Sequence, residues 1–541
     1  MKTAHVDTFA RDNLPPREQW PAFRFDLPEL RYPERMNCAT VLLDEQVRSG
    51  HGNRIALRAP DGECTYAQLQ AQANRLANLL VREMGLKPGN RVLLRGPNNP
   101  MMAAAWLAVF KAGGICVGTM PLLRAKELTE IIDKAQITHA LCDRRLDAEL
   151  ELARPASPTL KQVRYWYDEE TDAQIARQSA QFRTVDTLAE DVALIAFTSG
   201  TTGKPKGTVH FHRDVVAMCD CFPRSCLKPG KDDIFIGSPP LAFTFGLGGL
   251  LCFPLRFGAS TALVEKFTPE TMLEAIQRFR ATILFTAPTM YRALAGMWDK
   301  SGKNYDLSSL RKCVSAGEAL PDATRQLFKS ASGIEIIDGI GATEMIHIFI
   351  SHTPETVRRG ATGRAIPGYR AVVLDERGNP CAPGVVGRLA VQGPTGCRYL
   401  ADERQRNYVQ GEWNLTGDAY SMDEDGYFFY QARTDDMIIS AGYNIAGPEV
   451  EGALLAHPAV AECGVVGVPD EERGMLVKAF VVLKPGHAPG EAMARALQEH
   501  VKQSIAPYKY PRQVEFVAAL PRTETGKLQR FKLRTGEGAK R

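Results

Sequence analysis

The sequence predicts an α/β protein with a large N-terminal domain of layered sheets and helices, followed by a small α+β domain. Three observations support this. At 541 residues the chain is too long for one core, so two to four lobes are expected. From about residue 40 to 400, short β-rich runs alternate with helical patterns and Gly/Pro punctuation, the pattern of a mainly parallel sheet. After about residue 430 the texture changes to closely spaced strand-like runs, "AECGVVGV" and "VKAFVVL", then a helix-like "EAMARALQEHVKQSI" and "RQVEFVAAL". That stretch has the length of a separate domain.

Taken in order, the apolar run from Met101 to Met120 contains Lys111 and glycines at 113, 114 and 118. It reads as a buried helix, a turn and a strand rather than a membrane span. "VALIAF", "DIFIGS", "STALVE", "ATILFT" and "IEIIDG" read as strands. Thr268 and Pro269 read as the N-cap and first residue of a helix in which Met272, Leu273, Ile276 and Phe279 recur at helical spacing. Several strands run into loops carrying Gly beside a polar residue: "TSGTTG", "SAGEAL" and "GIGATE". Ligands of open α/β sheets bind outside the carboxyl ends of strands, so these loops are expected to face one crevice.

Composition removes several classes. The net charge of +4 is too small for a nucleic-acid binder, and no basic tract interleaved with aromatics is present. The twelve cysteines are scattered, several in apolar runs, as reduced core residues would be. His210, His212, Cys219, Cys221 and Cys226 cluster, but their spacing matches no standard zinc site. The N-terminus lacks the apolar region of a signal peptide, so a cytoplasmic protein without a membrane partner is expected.

The most informative stretch is "FTSGTTGKPKGTVHFH", from Phe197 to His212. Three glycines, four Ser/Thr hydroxyls and two lysines fall between Phe197 and Gly207, a composition suited to holding phosphate. It is not a Walker A loop, because only Thr201 and Thr202 separate Gly200 from Gly203 and Pro205 follows Lys204. Nor is it a hydrolase nucleophile elbow, since Phe197 stands where the first glycine is required. "GIGATE" alone is a poor dinucleotide fingerprint, with Glu344 in place of the third glycine.

Together with that loop, "GATE" at 341–344, "TGD" at 416–418, "RTDD" at 433–436 and "PRTETGK" at 521–527 resemble, in this order, the adenylate-forming superfamily of acyl-CoA and aryl-CoA synthetases. The resemblance spans nearly the whole chain. It implies ATP, Mg²⁺ and CoA as cofactors and a two-step reaction: a carboxylate attacks the α-phosphate of ATP, and a thiol then displaces AMP. Thr198, Ser199, Gly200, Thr201, Thr202, Gly203 and Lys204 would cradle the phosphates, Glu344 would hold Mg²⁺ and Thr343 would meet phosphate. The resemblance assigns Asp418 and Arg433 to the ribose, Gly317, Glu318, Asp338 and Gly339 to adenine, and Lys527 to adenylation. It further implies domains at 1–432 and 437–541 joined by a hinge at 433–436 with Asp435 as pivot, the small domain being mobile. Its rotation would bring Gly442 to line the CoA channel.

"PPLAFTFGLGG", "SAGEALP" and "GATEMIHIFIS" are most similar to the benzoate-CoA ligase branch. That likeness implies a flat pocket lined by Phe243, Ala316, Gly341, His347 and Ile348, taking a small aromatic carboxylate. "AHVDTFARDNLPP" further resembles 2-aminobenzoate-CoA ligases, so 2-aminobenzoate is the specific expectation, with benzoate beside it. The alternatives are a medium- or short-chain acyl-CoA synthetase and a stand-alone enzyme loading a carrier protein. A homodimer is an expected assembly.

Overall fold

The computed structural model describes residues 3–199, 205–301, 305–433, 436–440, 443–470, 473–505, 507–522 and 528–535. Of the residues singled out above, Gly200, Thr201, Thr202, Gly203, Lys204, Asp435, Gly442 and Lys527 lie outside these.

Four sheets organise the described residues. The first holds β1 (Arg91–Arg95), β2 (Ile115–Thr119), β3 (His139–Asp143), β4 (Gln162–Trp166), β5 (Val192–Ser199) and β6 (Pro205–Phe211), in the order β4-β3-β1-β2-β5-β6. All are parallel except β6, which runs antiparallel to β5. Between β1 and β2 lies α1 (Pro100–Lys111), capped by the Asn99 side chain, which accepts the Met102 N–H, and opened by Pro100. Every residue from Met102 to Lys111 is buried, which is why this helix has no polar stripe. Lys111 is tolerated there because Asp44 pairs with it, although burial, outweighing Asp44, pushes its amine below the usual range. The helix, turn and strand expected from Met101 to Met120 are all present. Among the described residues no helix is long and apolar enough to cross a membrane. After β6 the chain enters α2 (His212–Phe222), which carries Cys219 and Cys221 into the core.

The second sheet has nine strands. Its parallel centre contains β7 (Ile234–Gly237), β8 (Ser260–Ala262), β9 (Ile283–Thr286), β10 (Lys312–Ser315) and β11 (Ile336–Gly341). The hairpin of Ile55–Ala59 and Gly62–Thr65 joins one edge beside β8. Antiparallel β12 (Ile348–Ser351) follows β11 on the other. The helices α3 (Pro269–Phe279), α4 (Pro288–Ser301) and α5 (Asp322–Ser332) pack on this sheet's core. Thr268 and Pro269 open α3 as expected, with Thr268 and Thr271 capping each other reciprocally. One boundary differs from expectation. β11 continues through Gly341, because Gly339 and Ile340 pair with Ser351 and Ile350 of β12.

A third sheet contains β13 (Trp413–Met422) and β14 (Phe428–Arg433). Beyond it the small domain builds its own core around α6 (Gly447–Leu455), β15 (Val460–Asp470) and β16 (Gly474–Leu483). Val450, Leu454, Val465, Ala479 and Val481 are buried there together.

Candidate active site

Two of the three expected loops, "SAGEAL" and "GIGATE", follow the adjacent parallel strands β10 and β11, and of "TSGTTG" only Thr198 and Ser199 are among the described residues. Thr198 and Ser199 of β5 pair with Lys206 and Pro205 of β6, so the glycine-rich stretch connects a hairpin. Residues 398–400 lie along the other edge of β6: Val209 N–H donates to Arg398 O at 2.8 Å, and Leu400 N–H to Gly207 O at 2.9 Å. From there Tyr399 reaches across to Glu344, its hydroxyl donating to Oε1 at 2.5 Å while accepting from Lys206 Nζ at 3.1 Å. Burial, then the Glu344 charge, push the Tyr399 phenol far up, so it stays a donor. Glu344 and Thr343 form the short turn Thr343–Met345 after β11, and His210 Nε2 holds the Thr343 carbonyl at 2.8 Å. Two side chains from one hairpin, one of them through Tyr399, thus fix that turn.

Behind His210 lies an ion pair fully removed from water. Asp214, in the first turn of α2, accepts the Phe211 N–H at 3.0 Å and pairs with Arg398. The Arg398 guanidinium also rests on the Phe211 ring, 4.0 Å from its centroid. Burial acts to raise the Asp214 carboxyl, but Arg398, His210 and Arg213 together outweigh it and hold the carboxyl below the usual range.

The parallel register places Ser315 of β10 beside Asp338 of β11. Asp338 Oδ1 and Ser315 Oγ are buried without a well-formed hydrogen bond. Burial raises Asp338 to about 7, only partly offset by the Gly339 N–H and a loose contact with Ser315. Next to them Ala316 is buried, Gly317 turns the chain at φ +91°, and Glu318 Oε1 lies 3.9 Å from Arg522 Nη1 of the small domain. Gly339 and Gly341 let β11 and β12 close on each other, since a Cβ would stand 2.8 Å from Ile348 Cγ2 and from the His347 carbonyl carbon respectively. Asp418 and Arg433 face each other in register on β13 and β14, with Arg433 Nη1 donating to Asp418 Oδ1 at 3.1 Å and to Thr416 O at 3.0 Å. Burial raises the Asp418 carboxyl, with Arg433 opposing.

His347 lies in an aromatic enclosure, its ring centroid 4.6 Å from Phe253, 5.7 Å from Phe245 and 5.9 Å from Phe222. Neither ring nitrogen has a well-formed hydrogen bond, and burial lowers the imidazole to about 3 against a loose contact with the Phe245 backbone. Ile348 is buried beside it. Phe243 is the N-cap residue of the short helix Thr244–Leu247, its carbonyl accepting the Leu247 N–H at 2.7 Å. The ring that meets His347 is Phe245, two residues on. The signal that pointed to it was the "FGLGG" run, because a Cβ at Gly248 would lie 2.5 Å from His347 Cδ2 and one at Gly249 2.5 Å from Phe285 Cδ1. Between Glu344 and His347, Ile346 has φ +64°, a strained value for a β-branched residue.

Among the described residues no group of His, Cys, Asp and Glu is arranged to hold a metal by itself, and all twelve cysteines are free. Of the His–Cys cluster, His212, Cys219 and Cys221 are buried on α2, with His212 Nδ1 3.1 Å from Cys38 Sγ, while His210 lies on β6 and Cys226 follows α2.

A hairpin leading into the Thr-, Ser- and Gly-rich stretch, a buried carboxylate beside it and a buried Asp whose Oδ1 lacks a well-formed hydrogen bond suit an enzyme that handles a phosphorylated nucleotide. The chain belongs to the AMP-binding enzyme family, whose main domain matches residues 43–399 and whose C-terminal domain matches residues 449–527. It is 36% identical over 520 residues to a benzoate–CoA ligase of Thauera aromatica, covering 94% of this chain and 97% of that one. The crystal structure of the anthranilate CoA ligase AuaEII in complex with anthranoyl-AMP superposes with a TM-score of 0.90 at 35% identity, covering 95% and 99% of the two chains. A benzoate CoA ligase from Burkholderia xenovorans LB400 gives 0.83 at 32% identity, covering 92% and 100%. The protein is therefore an adenylate-forming ligase that works with ATP, Mg²⁺ and CoA, built as a large N-terminal and a small C-terminal domain.

Proposed function

We propose that the protein is an aryl-CoA ligase that adenylates 2-aminobenzoate, with benzoate as second substrate, and passes the acyl group to CoA. The observation that carries the choice of acid is His347. A neutral imidazole offers one donor and one acceptor, and here both are buried with no well-formed hydrogen bond, only a loose contact with the Phe245 backbone. An ortho amino group gives the acceptor nitrogen an N–H that benzoate lacks. Aromatic walls at Phe222, Phe245 and Phe253 favour a ring over a chain.

In this reading Thr198, Ser199 and the residues through Lys204 hold the β- and γ-phosphates, and Asp418 accepts from the ribose hydroxyls beside Arg433. Asp338 accepts from the adenine amino group, filling the hydrogen bond its Oδ1 lacks. Glu344 suits Mg²⁺, a hard cation that prefers carboxylate and phosphate oxygens and, when bound, neutralises phosphate charge. Lys527 bridges carboxylate and α-phosphate, and residues 433–436 form the hinge, with Asp435 as pivot, that exchanges Lys527 for Gly442 before the thiol attacks.

The testing experiment is acid-dependent pyrophosphate release with MgATP, with and without CoA, comparing 2-aminobenzoate, benzoate, phenylacetate, octanoate and acetate. Release led by the benzoates, with thioester forming only when CoA is added, is the expected result; a lead for octanoate or acetate would sink the reading. His347→Leu is expected to lower kcat/KM for 2-aminobenzoate about ten-fold relative to benzoate, the worth of one neutral hydrogen bond. Equal losses for both acids would remove His347 from the choice.

Asp338 supplies a pH prediction. Its carboxyl, raised to about 7, is neutral below that pH and charged above it, and the charged form is the stronger acceptor. The KM for ATP is expected to rise several-fold as pH falls from about 8 to about 6. Asp338→Asn, which keeps an acceptor but cannot titrate, should flatten the profile. An unchanged profile in that variant would assign the titration elsewhere.

A further inference from the structure

The contact between the two domains has an unusual member. Arg292 projects from α4 of the large domain, and its described partners are all backbone carbonyls of the small one. Its Nε donates to Ala461 O at 3.2 Å, and its Nη2 to Val460 O at 3.2 Å and Leu455 O at 3.4 Å. Leu455 is the last residue of α6, where carbonyls lack intrahelical partners and carry the negative end of the helix dipole. Val460 and Ala461 open β15. One planar guanidinium thus caps a helix and grips a strand that belong to the other domain. Among the described residues no carboxylate lies within ion-pair distance of Arg292. Charge-assisted bonds to neutral carbonyls are strong enough to orient a domain, yet each can be exchanged for water.

The same docking acts at a second point. Arg522 Nη1 stands 3.9 Å from Glu318 Oε1, and Arg530 lies within reach of the Glu318 charge. These two arginines flank the segment that ends in Lys527. Arg292 and Arg522 therefore hold the small domain against the large one at two points, the second beside the loop 316–318.

We infer that Arg292 is a positioning residue that latches the small domain for adenylate formation and is released before thioester formation, so that it sets the balance between the two half-reactions. This rests on the two-step ligase reading above.

The test measures the half-reactions separately, as ATP–pyrophosphate exchange with 2-aminobenzoate and as conversion of synthetic 2-aminobenzoyl-AMP by CoA. Arg292→Leu, which keeps an apolar stem without donors, should lower the first about ten-fold and leave the second unchanged or faster. Arg292→Lys, which offers a point charge without the fork, should fall between the two proteins and serves as the test should the leucine variant fail to fold. If both half-reactions fall alike in either variant, or neither moves, the latch is overturned while the ligase reading stands. If the unaltered protein forms no adenylate from any aryl acid, the ligase reading fails and the latch fails with it.

Discussion

Lys527→Ala is expected to depress aryl-adenylate formation by about a hundred-fold or more while leaving conversion of preformed adenylate to thioester within a few-fold. The argument is electrostatic. In the first half-reaction an anionic carboxylate approaches an anionic triphosphate, and charge concentrates between the acid oxygen and the α-phosphorus. A compact ammonium placed there is worth most in the transition state, and its loss leaves the other phosphate contacts in place. Arg522 bridges to Leu528, Gln529 N–H donates to Pro521 O at 2.9 Å, and this narrow base stands against Glu318. The second half-reaction needs no cation at that point, because the activated carbonyl carries AMP as its leaving group. Rapid-quench measurement of both steps decides the matter, and parallel losses would show that Lys527 has a different role.

The second large effect is on stability. Asp214→Ala should destabilise the large domain by about 3–5 kcal/mol, because it strands the Arg398 guanidinium in the core. Both side chains are 0% exposed, so neither water nor a shift in packing can replace the lost partner. Removing both charges, as in Asp214→Ala with Arg398→Met, should recover most of the loss, since the stranded charge rather than the pair is what costs. The stabilisation has a definite pH window. Asp214 is held below its unfolded value of about 4, so its contribution is complete above that pH and disappears as pH falls through the lower native value. Thermal unfolding of the single and double variants at neutral pH tests this; a single variant that melts with the parent protein would contradict it.

How legible the protein was in its sequence depended on distance along the chain. The α3 helix was legible because Thr268, Pro269 and the apolar spacing are all local. So was the buried α1 segment, whose interrupting Lys111 and glycines excluded a membrane span. What could not be read were pairings set by register between distant strands. Ser315 and Asp338 become neighbours only when β10 and β11 align, and Tyr399 meets Glu344 only because residues 398–400 lie against β6. Arg292 looks like an ordinary helical arginine until the small domain is docked. The resemblance points to Phe243, and the contact of the Phe245 ring with His347 follows from how the short helix Thr244–Leu247 packs, which no local pattern announces. The resemblance to a family supplied the order of motifs, but not which ring would face the histidine.

The strained turn around Ile346 has a bearing on how such an enzyme can diversify. Glu344 and His347 are separated by Met345 and by Ile346, which is held at φ +64°, so on the proposed function the carboxylate for Mg²⁺ and the imidazole for the acid share one short turn. A substitution at 347 that admits a bulkier acid would also turn Glu344 away from Tyr399, sacrificing turnover for range. The opposite wall, Phe245 with Gly248 and Gly249, follows a different strand and touches His347 without sharing the backbone turn that carries Glu344. Natural or laboratory lineages that acquire new acids are therefore expected to change first along 243–249, keeping the 343–347 turn as inheritance.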